Sequence, residues 1–202
     1  EFRRVLFRSR GTNILLMTDE VYEHIIFDGL AHQSIARRPA LAERAFVISS
    51  FGKTFHTTGW KIGYCCAPRE LTLEFRKVHQ FMVFAVSSHT QMGVAAYLKD
   101  PAPYETLPAF YQEKRDRFRA GLAASRFKPL PCSGTFFQVV DYSAISDETE
   151  EAFARRLTTD FGVAAIPLSA FYVKPVERRV VRFCFAKKEE TLDRALERLT
   201  KV

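Results

Sequence analysis

The sequence has few cysteines and no long apolar run. Its 202 residues include four cysteines without a C-x-x-C spacing, which argues against a zinc site or a disulfide framework. We therefore expect free thiols in a reducing, cytoplasmic compartment. No apolar run approaches the roughly 18 residues that a membrane span requires, so no membrane partner is expected. The histidines lack metal-binding spacing and no metal is predicted; they are His24, His32, His56, His79 and His89.

Internal repeats, low-complexity tracts and Gly/Ser-rich linkers are also missing, which excludes a repeat array and extensive disorder. Hydrophobic residues make up 47% of the chain and charged residues 26%, as in ordinary globular proteins. A chain of this length can bury a substantial core and form one or two domains.

The net charge of +7 is the feature of the composition that suggests a nucleic-acid partner. Residues 1–10 contribute four arginines against one glutamate, a net +3, which leaves +4 for the remainder. This segment has no clear relation to the pattern that follows it, and we interpret it as an unrelated leader, such as a cloning or assembly remnant. A basic targeting or nucleic-acid arm is the alternative. No nucleic-acid partner is expected for the rest of the chain.

Three short apolar runs are predicted to form buried strands: 13–18, 45–49 and 62–67. In open α/β sheets, ligands bind where strands end. Asp19, Ser50 and Lys53 all lie just after such ends. The sequence therefore predicts a binding site at this edge of the sheet.

The remaining pattern alternates helices with a second group of strands. Apolar residues at three- and four-residue steps predict helices over 69–84, 88–99, 103–125, 148–161 and 189–200. Strands are predicted over 127–131, 135–141, 163–166 and 179–185. We expect a larger domain over 11–100, a linking helix within 101–125, and a small α+β domain over 126–202.

Four side chains in two segments suit one particular cofactor. Asp19 and Tyr22 stand in Asp-Glu-Val-Tyr, and Lys53 follows about thirty residues later in Ser-Phe-Gly-Lys. A second cation, Lys61, comes eight residues after Lys53. An amine, a cation, a carboxylate and a phenol are the partners that an aldehyde, a phosphate and a pyridine ring require, which indicates pyridoxal phosphate. Taken singly, Asp19 would be weak evidence, because a helix N-cap is a very common role, and Lys53 would be interpreted as a solvated loop lysine.

These segments resemble the class I/II aminotransferases, in the branch that contains methionine aminotransferase and the kynurenine and glutamine transaminases. The resemblance implies an α/β fold: the C-terminal part of the fold type I large domain, with an incomplete mixed sheet, plus the small α+β domain. It implies a pyridoxal-phosphate-dependent aminotransferase that moves an amino group from an amino acid, of methionine or aromatic type, to a 2-oxo acid. Ping-pong kinetics and a homodimeric parent enzyme are implied as well.

The resemblance also assigns roles to the cofactor-binding residues. Lys53 would form the covalent link with the cofactor aldehyde, and Asp19 would keep the pyridine nitrogen protonated. Tyr22 would donate to the ring oxygen. Ser50 and Lys61 would hold the phosphate, where many relatives place an arginine instead of Lys61.

Three residues of the C-terminal part match the substrate site of the family. Arg182, inside an apolar strand, would bind the substrate's α-carboxylate through two parallel hydrogen bonds. A salt bridge to an internal carboxylate is the alternative. Gly134 would let the backbone approach the substrate, and Phe171 would line the side-chain pocket. Gly134 and Phe171 are equally a turn residue and a core residue.

Members of this family are considerably longer than this chain. The missing N-terminal part would carry the phosphate-binding loop, the aromatic residue that stacks on the ring and an asparagine, and only eighteen residues precede Asp19. We therefore expect an N-terminally truncated chain that is inactive by itself. Alternatives are a pyridoxal-dependent carbon–sulfur β-lyase, an effector-sensing domain and a non-catalytic fragment.

Overall fold

The computed structural model describes residues 2–174, 176 and 178–202. The chain forms two compact units. The first comprises Glu1–His24 and Ala31–Leu107, and the second comprises Ile25–Leu30 and Pro108–Val202. Within the described residues, no helix has both the length and the apolar character needed to cross a bilayer. All four cysteines are free thiols, as expected.

The first unit contains a mixed sheet of three strands. These are β1 (Leu16–Asp19), β2 (Ala45–Ser50) and β3 (Gly63–Cys66), in the order β1-β2-β3. β1 runs parallel to β2, and β3 runs antiparallel to it. This topology confirms the predicted incomplete mixed sheet.

Among the described residues, six α-helices belong to the first unit, three of them only one turn long. They are α1 (Phe2–Ser9), α2 (Pro39–Ala42), α3 (Phe51–Thr54), α4 (Arg69–Met82), α5 (Ser88–Tyr97) and α6 (Ala102–Glu105). Two of these helices begin at residues that favour a helix N-terminus. Pro39 fits the first turn of α2, where its missing N–H costs no bond, and the Ser87 hydroxyl accepts from Thr90 N to cap α5.

The buried centre of the first unit is small. Ile35, Leu41 and Ala45 form a buried cluster, against which Leu16 and Val47 pack. The run 13–18 was predicted to be a buried strand, and this is wrong: the strand is Leu16–Asp19 and the side chain of Met17 is 73% exposed. The side chains of β1 alternate between partly buried and exposed, so only one face of this strand is covered.

Residues 1–10, expected to be a leader, include α1 and pack against the first unit. Ser9 is buried, and its carbonyl accepts a hydrogen bond of 2.8 Å from Arg44 Nη1. Glu1 lies outside the described residues. The boundary at residue 10 stays a prediction.

The second unit has an antiparallel sheet with the order β4-β5-β7-β6. Its strands are β4 (Lys128–Pro129), β5 (Phe137–Asp141), β6 (Ile166–Pro167) and β7 (Val180–Cys184). Its helices are α7 (Leu107–Leu122, from Pro108 onward), α8 (Glu150–Thr159) and α9 (Glu189–Leu199). This mixture confirms the small α+β architecture.

Aromatic rings dominate the core of the second unit. Phe183 on β7 contacts Phe118 on α7 and Phe127, with ring centroids 5.8 and 5.9 Å apart. Tyr142 stacks on Phe153 of α8 at 3.9 Å. Such rings bury large areas and carry much of the core's stability.

The helix predicted over 103–125 is divided in the structure. α6 ends at Glu105, and α7 begins at Leu107. Pro108 cannot donate a backbone hydrogen bond and suits the first turn of α7, which explains the interruption. The strands predicted over 127–131 and 163–166 shrink to two residues each.

Candidate active site

Four of the predicted cofactor residues lie at one end of the strands in the first unit's sheet. The parallel strands β1 and β2 end there, at Asp19 and Ser50. The antiparallel strand β3 begins there, because Gly63 pairs with Ser50. Lys61 lies two residues before Gly63, and Lys53 lies on α3 directly after β2. Asp19, Ser50 and Lys53 thus lie at or just after strand ends, and their roles stay predictions.

Ser50 and Lys53 are held by the tight turn between β2 and α3. The Ser50 hydroxyl accepts a hydrogen bond from Gly52 N at 3.1 Å and lies 3.4 Å from the Ile62 carbonyl oxygen. Gly52 is buried, and a Cβ there would lie 3.0 Å from the Thr58 Cα. Glycine is therefore required by close packing at this position. Lys53 is partly buried one residue later.

Asp19, Tyr22 and Lys61 differ in exposure. The Asp19 side chain is exposed, and its Oδ1 accepts from Val21 N at 3.3 Å, which is a turn contact and not a helix cap. Tyr22 is partly buried. Lys61 is exposed and adopts a left-handed backbone, φ 53° and ψ 46°. A left-handed conformation is uncommon for lysine and directs the chain sharply into β3.

The functional groups of the predicted cofactor residues are suited to pyridoxal phosphate. Amines at Lys53 and Lys61 accompany a carboxylate at Asp19, a hydroxyl at Ser50 and a phenol at Tyr22, all within the first unit. These are the groups that an aldehyde, a phosphate and a pyridine nitrogen require. No cluster of three or more potential metal ligands occurs among the described residues.

Two glutamates next to these residues were missed by the sequence analysis. Glu20 is buried, accepts from Ile35 N at 3.0 Å, and lies 2.8 Å from His32 Nε2. Burial alone would raise the pKa of Glu20, yet hydrogen bonds from His32 and its neighbours hold that pKa below its usual value. Glu23 accepts from Ser49 Oγ at 2.8 Å and from the Tyr64 hydroxyl.

Arg182, in the second unit, lies on β7 between two aromatic rings. Its guanidinium carbon is 4.0 Å from the centre of the Phe137 ring and 5.1 Å from that of Phe171. Its Nε is buried without a hydrogen-bond partner in the described part of the chain. No carboxylate of the described residues forms an ion pair with it, so the alternative of an internal salt bridge finds no support there. A buried charged donor without a partner is costly.

Phe171 and Gly134 have packing roles in the structure. Phe171 is 63% exposed and covers Arg182, so it is not a core residue. Gly134 forms an isolated β-bridge with Ile26, and a Cβ there would lie 2.9 Å from the Ile25 carbonyl oxygen. The glycine is therefore required by its backbone neighbours. Their substrate-binding roles stay predictions.

A cavity of about 470 Å³ lies beside β7 in the second unit. Its apolar lining includes Phe118, Val163 and Leu192, and its cations include Arg182 and Arg194.

Comparison with known proteins agrees with this description. The family model for aminotransferase class I and II matches residues 1–199. The chain belongs to this family. The match includes residues 1–10, the segment interpreted above as an unrelated leader.

Several relatives carry specific names. The chain is 50% identical over 190 residues to the methionine aminotransferase of Escherichia coli, covering 94% of this chain and 49% of that protein. It is 35% identical over 216 residues to a kynurenine–oxoglutarate transaminase of Dictyostelium discoideum, covering 96% of this chain and 50% of that protein. The chain therefore spans about half the length of the curated relatives it matches.

Solved structures give the same result. A structure of the Escherichia coli protein with methionine aminotransferase function superimposes with a TM-score of 0.95 at 47% identity, covering 100% of this chain and 53% of that chain. The N-succinyldiaminopimelate aminotransferase of Mycobacterium tuberculosis superimposes with a TM-score of 0.90 at 36% identity, covering 98% and 52%. The fold is that of fold type I aminotransferases.

Proposed function

We propose that this chain is the cofactor-linking part of a pyridoxal-phosphate-dependent aminotransferase that accepts methionine or aromatic amino acids and a 2-oxo acid. The proposal rests on one observation. Four side chains lie at the same end of the strands in the first unit's sheet, namely Asp19, Ser50, Lys53 and Lys61. The family match and the 50% identity to a methionine aminotransferase support it. A homodimeric parent enzyme in the cytoplasm belongs to the same proposal.

Each residue would contribute a separate physical effect. When bound, pyridoxal phosphate supplies an aldehyde and a pyridinium ring that withdraws electrons from the substrate's α-carbon. Lys53 would hold the cofactor aldehyde through Nζ, and the same amine would accept and return the proton of the substrate's α-carbon. Asp19 would keep the pyridine nitrogen protonated, and Tyr22 would donate to the ring oxygen.

The phosphate and the substrate would be held by separate cations. Lys61 and Ser50 would bind the phosphate, Lys61 as a point charge and Ser50 through its hydroxyl. Arg182, in the second unit, would bind the α-carboxylate of the amino acid with its guanidinium group. The unpaired Nε between Phe137 and Phe171 supports that role.

Covalent labelling tests the proposal directly. The chain is incubated with pyridoxal 5′-phosphate, reduced with borohydride and digested, and we expect the label on the peptide that contains Lys53. Lys53→Met should abolish that label, whereas Lys77→Met, at an exposed lysine on α4, should leave it unchanged. The same labelling is repeated on a hybrid that joins residues 11–202 to the unmatched part of the Escherichia coli relative. The proposal is contradicted if, in both proteins, the label is found on another peptide or on none.

The chain spans about half the length of the curated relatives it matches. We expect no transamination by the 202-residue chain alone. The same hybrid should convert methionine to its 2-oxo acid with ping-pong kinetics. Release of pyruvate and ammonia from cystathionine without an acceptor would instead favour the carbon–sulfur lyase.

A further inference from the structure

The carboxylate of Glu23 lies where three segments of the candidate site meet. Its Oε1 accepts a hydrogen bond of 2.8 Å from Ser49 Oγ, and the same oxygen accepts from the Tyr64 hydroxyl. Ser49 on β2 and Tyr64 on β3 are direct cross-strand partners. One oxygen therefore joins two neighbouring strands to the turn that follows β1.

Two of these three residues are one step along the chain from a candidate residue, and the third is three steps away. Glu23 directly follows Tyr22, and Ser49 directly precedes Ser50. Tyr64 lies three residues after Lys61. The backbone of the turn is fixed as well, because Glu20 N donates to the Ile48 carbonyl at 2.7 Å.

The hydrogen bonds to the Glu23 carboxylate are largely shielded from solvent. Ser49 is buried, and only 23% of the Glu23 side chain is exposed. The imidazole Nε2 of His24 is 3.9 Å from Oε1, too far for a hydrogen bond. Partly buried hydrogen bonds to a carboxylate are stronger than those between neutral groups.

We propose that Glu23 is a positioning residue for the cofactor site. Its carboxylate holds the segments that carry Tyr22, Ser50 and Lys61 in fixed positions relative to one another. This inference rests on the proposed function, because it concerns how those residues would meet pyridoxal phosphate. Glu23 itself need not contact the cofactor. Supporting contacts of this kind keep reactive groups within a fraction of an ångström of their working positions.

Three variants of the full chain test the inference by cofactor affinity. We expect Glu23→Ala to bind pyridoxal 5′-phosphate roughly tenfold more weakly than the unmodified chain. Glu23→Gln keeps an acceptor oxygen for both hydroxyls and should stay within about twofold. Glu74→Ala, at an exposed glutamate on α4, is the matched control and should bind normally.

Amide hydrogen exchange without the cofactor provides the second measurement. Glu23→Ala should exchange faster in peptides covering residues 19–24, 49–54 and 59–64, and elsewhere as the unmodified chain does. Glu23→Gln should restore the slow exchange, which a general loss of stability would not predict.

The outcomes separate the two proposals. Equal affinity of Glu23→Ala and the unmodified chain would overturn the positioning role, even if the variant were less stable. If the unmodified chain binds no pyridoxal 5′-phosphate, labelling of the hybrid decides the proposed function and hydrogen exchange decides the inference. Faster exchange confined to the three peptides then supports it, and unchanged or uniformly faster exchange overturns it.

Discussion

Two arginines of the second unit show how differently the same side chain is used. Arg115 is buried and makes a bidentate pair with Asp28, with both N–O distances at 2.7 Å. Arg182 is held by two rings and has an unpaired Nε. The first arrangement is complete without a ligand, whereas the second leaves hydrogen-bonding capacity for one.

Substitution of these arginines by methionine should therefore have unequal effects on stability. Arg115→Met removes the pair with Asp28 and should lower the free energy of unfolding by at least about 2 kcal/mol. Arg182→Met loses ring contacts but also removes an unpaired donor, and should change it by less than about 1 kcal/mol. Urea unfolding followed by circular dichroism measures both. Equal losses would contradict the distinction.

Tyr64 gives the first unit a dependence on alkaline pH. Burial, together with the hydrogen bond to Glu23, raises the pKa of Tyr64 to about 12. Since the folded state favours the neutral phenol, this contribution is complete below the unfolded pKa of about 10 and is lost as the pH rises towards 12. Tyr64→Phe should be less stable near pH 8, and its difference from the unmodified chain should shrink between pH 10 and 12. A constant difference in urea midpoints across that range would refute this.

At the scale of the elements, two helical glycines are predicted to respond in opposite directions to alanine. A Cβ at Gly93 on α5 would make an ordinary contact of 3.8 Å with the Trp60 ring, so Gly93→Ala should stabilise by about 0.5–1 kcal/mol through helix propensity. A Cβ at Gly121 on α7 would lie 2.3 Å from Leu196 Cδ1, so Gly121→Ala should destabilise by about 1–2 kcal/mol. Thermal melts of both variants measure the signs. Two shifts of the same sign would contradict the packing described for α7 and α9.

Most elements could be predicted from the sequence, because apolar periodicity determines which stretches become helices and strands. The helix predicted over 69–84 forms as Arg69–Met82, and that over 189–200 forms as Glu189–Leu199. The pattern cannot say what covers an apolar face. α4 has its apolar stripe and yet contributes no buried residue.

The candidate site was predictable to the same degree. Asp19, Ser50 and Lys53 follow strand ends, which short apolar runs reveal. Glu23 escaped notice because its partner Tyr64 is 41 residues away, and the contact depends on the register of β2 and β3. No local pattern encodes that register.

At the scale of the whole molecule, exposed apolar side chains are unusually concentrated at the end of α4 and in the turn after it. Phe81 and Phe84 are each 86% exposed, and Met82 between them is 79% exposed. Phe84 also has a left-handed backbone with φ 65°, which is strained for a bulky residue. Contiguous exposed apolar surface of this kind binds hydrophobic molecules.

We therefore expect the folded chain to bind the dye 8-anilinonaphthalene-1-sulfonate through this turn. The double variant Phe81→Ser and Phe84→Ser should reduce the dye's fluorescence at least about twofold, because most of the patch is removed. Val173→Ser, at a fully exposed residue of the second unit, is the control and should leave the fluorescence unchanged. An equal decrease in the control would place the dye elsewhere.

The narrow sheet of the first unit has one more consequence. Among the described residues, β1 and β3 each pair on one side only, with β2. Their outer N–H and C=O groups are templates onto which another chain can add, as at the growing end of a fibril. Because such addition requires an encounter between two molecules, dilution should protect a preparation of this protein better than cooling does.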